Sequence, residues 1–117
     1  MTCKEVSAKE LGKALKNTSV LVALFFSEEE EEKSARRVER LLKDIDGRSY
    51  PHATACKIDI EEVIQLSQKL SIRKTPTLVF FLNGESKYSI SGNISIDYIR
   101  TRLEVLKMMD KKVAPDM

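Results

Sequence analysis

The stretch Val20-Leu21-Val22-Ala23-Leu24-Phe25-Phe26 is apolar without interruption. It is short and rich in β-formers, which marks a strand, and its lack of polar alternation means that both faces must be covered. Such a strand belongs at the centre of a sheet. The run is also far shorter than the roughly 20 apolar residues of a membrane-spanning helix, so no membrane partner is expected.

The flanking residues supply the covering layers. Ser7 and Glu10 form a capping-box pattern and Leu11, Ala14 and Leu15 recur at helical spacing, which predicts a helix over 7–16. After the strand, Ser27 can cap with Glu30, and the five glutamates 28–32 fall where a helix dipole favours negative charge. Ala35, Val38, Leu41, Leu42 and Ile45 then share one face, so this second helix is predicted to reach Asp44 or Ile45. A strand over 54–60 and a helix over 61–70, on Val63, Ile64, Leu66 and Leu70, come next. A further strand covers 77–82. Asn83-Gly84 is a favoured hairpin pair and predicts that 85–91 returns antiparallel, to be broken by Gly92. Ser95 caps a last helix with Ile99, Leu103 and Leu106 on one face. The class is α/β, with parallel strands first and an antiparallel pair at the end. Residues 1–110 are expected to form one domain and 111–117 a loose tail.

Charge narrows the functional classes. Twenty basic and 18 acidic residues leave a net charge of +2, so no overall field draws the chain to nucleic acid, and no such partner is expected. The two cysteines, Cys3 and Cys56, form no CxxC motif and no disulfide framework, which suits a reducing compartment. The first residues show no secretory signal or Arg-rich transit pattern, and a cytoplasmic location is expected.

The segment Lys57-Ile58-Asp59-Ile60, a helix, and then Ile72-Arg73-Lys74-Thr75-Pro76-Thr77-Leu78-Val79-Phe80-Phe81-Leu82-Asn83-Gly84 closely resembles the thioredoxin family. With Gly92 in register and residues 20–26 matching the family's central strand, the resemblance covers about residues 18–106. It implies a thioredoxin-like fold, a cis peptide at Thr75-Pro76, and a peptide-binding backbone just before that proline.

One departure bears directly on function. Where thioredoxins carry W-C-G-P-C after the central strand, this chain has Ser27-Glu28-Glu29-Glu30-Glu31-Glu32-Lys33. Aligned without a gap, Glu29 and Glu32 take the two cysteine positions, while a shift of one residue puts Glu30 first. A carboxylate cannot perform thiol–disulfide exchange, which requires thiolate attack and a mixed disulfide. Ala23 also replaces the family's buried acid, whereas Lys57, its usual partner, remains. The Lys57 amine is therefore expected to reach a glutamate of the 28–32 run or solvent.

Each candidate has a plain reading beside a sharp one. The glutamate run is either a solvated helix start or an acidic docking surface for a basic peptide; consecutive helical residues cannot converge on one cation, and no metal or other cofactor is expected. Cys56 reads as a small core residue, Cys3 as a free thiol near a mobile terminus, and His52 as a surface residue. Phe25, Phe26, Phe80 and Phe81 send one ring of each pair to each side of the sheet. The expected function is a redox-inactive protein- or peptide-binding module or adaptor, using Lys74, Thr75, Pro76 and Gly92 with Glu28, Glu29, Glu30 and Glu32. The alternatives are a thiol-dependent oxidoreductase or redox sensor using Cys56 or Cys3, and a structural subunit or homodimer with contacts at Met108-Met109.

Overall fold

The computed structural model describes residues 1–29 and 32–110, with the side chain of Glu32 left out. The expected 111–117 tail lies outside the described residues, as do Glu30 and Glu31. Five strands, β1 (Cys3–Glu5), β2 (Val20–Phe26), β3 (Ala53–Asp59), β4 (Thr77–Leu82) and β5 (Glu85–Ser91), form one sheet in the order β1-β3-β2-β4-β5. β1, β3 and β2 run parallel, and β4 and β5 are antiparallel to their neighbours.

The uninterrupted apolar run is the central strand because helices cover both of its faces. Val20, Val22 and Leu24 point into a core with Val38 and Leu42 of α2 (Glu32–Lys43) and Ile99, Leu103 and Leu106 of α4 (Ile96–Met109). Leu21, Ala23 and Phe25 point the other way, toward Leu11 of α1 (Ala8–Asn17) and Leu66 of α3 (Ile64–Lys69). The phenylalanines separate by strand parity: Phe80 lies in the first core, Phe25 and Phe81 in the second.

Local signals set several boundaries. The Ser7 backbone N–H donates to Glu10 Oε1 at 2.9 Å and the Glu10 N–H donates to Ser7 Oγ at 3.2 Å, closing the capping box of α1. Ser95 Oγ accepts from Tyr98 N–H at 3.1 Å and starts α4. Asn83 and Gly84 both take positive φ, 50° and 84°, as a tight hairpin turn demands.

Three expectations need correction. Cys3 is not near a mobile end: it is 5% exposed on β1, in register with Ala55. A three-residue edge strand carries no periodicity to read. The first turns of the second helix do not take in Glu28 and Glu29, which form a turn; the described α2 runs from Glu32, the last glutamate of the run. The single helix over 61–70 is a 3₁₀ turn, Ile60–Val63, followed by α3; Asp59 caps that turn by accepting from Glu61 N–H at 3.0 Å, and Ile64 is left exposed.

Candidate functional site

Strand register decides which expected site residues meet. Thr77 at the head of β4 lies opposite Phe25 at the end of β2 on one side and Ser91 at the end of β5 on the other. The segments just beyond, Ser27-Glu28-Glu29, Lys74-Thr75-Pro76 and Gly92, therefore gather at one end of the sheet. The Thr75–Pro76 peptide is cis, Pro76 is buried and Thr75 half-buried. Thr77 Oγ1 donates to the Lys74 carbonyl at 2.6 Å and closes the turn around the proline. Gly92, exposed at φ +82°, provides the left-handed backbone that lets the chain leave β5. Glu28, Glu29, Arg73 and Lys74 are exposed, so this end carries both signs of charge. Glu30 lies outside the described residues, and Glu32 is placed only by its backbone at the start of α2.

Beside this end, a cleft of about 420 Å³ opens between β1, β3 and α2, lined by Glu5, Phe26, Glu28, Arg36, Glu39 and Lys57 among others. Its centre is an ion pair that corrects the expectation for Lys57. The Lys57 Nζ donates to Glu39 Oε1 at 2.8 Å, with the two side chains only 26% and 16% exposed. The partner comes from the middle of α2 and not from the glutamate run. Glu39 lies four residues after Ala35 and three before Leu42, on the face turned to the sheet, and that spacing was the available signal. The Lys57 amine also sits 5.7 Å from the Phe26 ring centroid, and Lys43 reaches Glu39 at 3.0 Å. Burial opposes ionisation of Glu39, but hydrogen bonds from Lys57 and Lys43 outweigh it and hold the carboxyl below its ordinary value. The bond to Glu39 raises Lys57 against its own burial, with Glu39 and Glu5 adding to the effect. Both groups are charged at neutral pH, which gives the cleft a fixed dipole.

The thiols lie elsewhere. Cys3 is in register with Ala55 and packs in the α2/α4 core, whereas Cys56, one residue on, packs in the α1/α3 core. Facing opposite sides of the sheet, they cannot serve as attacking and resolving thiols for one another. Burial pushes Cys3 to about 11, with the Glu39 charge adding, and Cys56 to about 12. His52 is exposed, as are Met108 and Met109, the latter two at 81% and 43%. Among the described residues no group of three or more His, Cys, Asp or Glu could hold a metal ion, and no helix is long and apolar enough to cross a membrane.

No protein-family model matches the chain, and no curated protein matches it. Solved structures do. Oxidised thioredoxin from Plasmodium falciparum superposes with a TM-score of 0.72 at 21% identity, covering 89% of this chain and 97% of that one. Thioredoxin from Malassezia sympodialis gives 0.69 at 21% identity over 89% and 90% of the two chains. A single-substitution variant of thioredoxin from Halobacterium salinarum gives 0.65 at 22% identity over 93% and 90%. With its β1-β3-β2-β4-β5 sheet between two pairs of helices, the chain has the thioredoxin fold.

Proposed function

We propose that the chain is a peptide-binding module that works without thiol–disulfide exchange, taking an extended basic segment at the sheet end formed by Glu28, Glu29, Thr75, Pro76 and Gly92. One observation carries this reading: the register of β2, β4 and β5 gathers these residues at one place, and neither cysteine is there. Backbone at the head of a strand offers main-chain hydrogen bonds to an extended peptide, and the flanking carboxylates select cationic side chains. Two buried thiols suit a reducing compartment such as the cytoplasm.

The test is fluorescence anisotropy with a labelled, Lys-rich extended peptide. E28K/E29K is expected to weaken binding by about tenfold, the scale of a few exposed charge contacts, and K74E to strengthen it. Unchanged binding in E28K/E29K, or none by the parent protein, would sink the proposal. An insulin-reduction assay checks the competing thiol reading: turnover that vanishes in Cys56→Ser would establish an oxidoreductase instead.

A further inference from the structure

Arg102 is a cation that the ion pairs of the fold leave out. Its guanidinium carbon lies 4.4 Å from the centroid of the Tyr88 ring and 4.9 Å from that of Tyr98, so one ring of β5 and one of its own helix hold it. Phe80 meets Tyr98 edge-on at 6.2 Å and fixes the second ring. These rings attract the cation but supply no counter-anion. Among the described residues no carboxylate pairs with Arg102. The positions three and four residues away on α4 are Tyr98, Ile99, Val105 and Leu106, so the helix itself offers no acid. The side chain is half-buried, and its Nε is covered without a hydrogen-bond partner, which leaves the Nη edge as the side available to a ligand.

Tyr88 stands on the outermost strand of the sheet, whose main-chain groups pointing away from β4 have no strand beside them. A bulge between Phe80 and Phe81 sets Lys87 out of register, and the Lys87–Glu85 pair at 3.1 Å guards the turn half of β5. From Tyr88 to Ser91 the ladder is regular and the strand carries no charge. On its other face this edge borders a depression of about 110 Å³, lined by Leu70, Val79 and Ser89 among others.

We propose that the Tyr88–Ser91 edge takes an extended partner segment in which an acidic residue alternates with apolar ones. The added strand pairs with the main-chain groups that β5 turns outward. A side chain on the α4 face of that strand falls about 5 Å from Tyr88, so a Glu carboxylate reaches the Nη edge of Arg102 and makes the two-pronged bond that a fixed guanidinium favours. The residues before and after it face the other side, where the depression at Leu70 and Val79 receives an apolar side chain. Charge selects the partner. A basic segment meets Arg102 as a like charge, and a second copy of β5, with no acid from Tyr88 to Ser91, brings no counter-anion. The edge runs along β5 and is separate from the basic-peptide site proposed above.

The probe is acetylated and amidated Thr-Val-Glu-Val-Thr, titrated into the isotope-labelled full chain by NMR, with Thr-Val-Gln-Val-Thr as its uncharged match. Amide shifts are expected along Tyr88–Ser91, and the Glu probe should bind about tenfold more tightly than the Gln probe, the scale of one charge-assisted contact. R102K keeps the charge but loses the fork, and should bring that preference down to about twofold. R102Q should abolish it. Circular dichroism and the thermal midpoint establish that both variants are folded. If Arg102 only staples α4 to β5, R102K lowers the midpoint while the parent binds both probes alike, and that outcome overturns the proposal. No binding by the parent, shifts that miss Tyr88–Ser91, or an undiminished Glu preference in R102Q overturns it as well. A concentration-dependent dimer in light scattering that R102Q abolishes would assign the edge to a second copy and overturn it too.

Discussion

Replacing Glu39 by Leu removes the carboxylate that holds Lys57 at 2.8 Å and leaves an amine only 26% exposed beside Phe26 and Leu24. A fully buried charge stripped of its partner costs about 3–5 kcal/mol, and an exposed pair is worth about 0.2–1 kcal/mol. With side chains about four-fifths buried and Glu5 nearby as a weaker countercharge, E39L is expected to destabilise by about 2 kcal/mol. K57M is expected to cost less, about 1 kcal/mol, because Glu39 keeps Lys43 at 3.0 Å. The double variant E39L/K57M removes both charges and fills the space with apolar atoms, so it should unfold within about 0.5 kcal/mol of the parent. Urea denaturation reads this directly. At an m-value of about 1.2 kcal/mol/M, E39L lowers the midpoint by about 1.7 M and the double variant restores it. A double variant destabilised by the sum of the singles, about 3 kcal/mol, would refute the reasoning, since it would mean that the pair does not couple. The pair also sets a pH window. Glu39 is held below 4.5 in the folded chain, so its contribution is complete above 4.5 and is lost as pH falls through the lower folded value. Lys57 is raised above 10.5, so its contribution is complete below 10.5 and is lost as pH rises through the higher folded value. Stability of E39L/K57M should vary less with pH than that of the parent at both ends.

Two further outcomes can be measured. At pH 8 the buried Cys3 and Cys56 thiols, at about 11 and about 12 against 9.0 when unfolded, hold about one hundredth or less of the unfolded thiolate population. Native labelling by an aromatic disulfide reagent should be slower than labelling in denaturant by at least that factor, and fast native labelling would contradict the burial argument. Gly84 has φ +84°, and a Cβ there would meet the Leu15 carbonyl oxygen at 3.2 Å. Gly84→Ala should therefore cost about 1–2 kcal/mol and more than Gly92→Ala, which has the same sign of φ but open space around it; equal midpoint losses in thermal melts would remove the close-approach argument.

The features readable from sequence are those whose cause is local. Val20–Phe26 announces the central strand because coverage on both faces leaves no place for a polar residue, and Ser7, Ser95 and Asn83-Gly84 fix caps and a turn through neighbours within a few positions. Where the cause lies across the fold, local reading fails in a consistent direction: it assigns charges to solvent or to their sequence neighbours. The glutamates 28–32 read as the first turns of a helix because carboxylates suit a helix N-terminus, yet the chain must first turn away from the end of β2, and Glu28 and Glu29 are used for that. Lys57 stands between the buried Cys56 and Ile58 and so required a countercharge; finding Glu39 needed the inward face of α2, which its spacing from Ala35 and Leu42 already marked. Net charge hides the same information from the other side. A sum of +2 cancels an acidic segment against the basic stretch that follows it, and two charged segments of opposite sign look like none. Glu39 meets Lys57 at 2.8 Å and Lys43 at 3.0 Å, so one carboxylate of α2 answers cations on two elements, and only the assembled fold shows it.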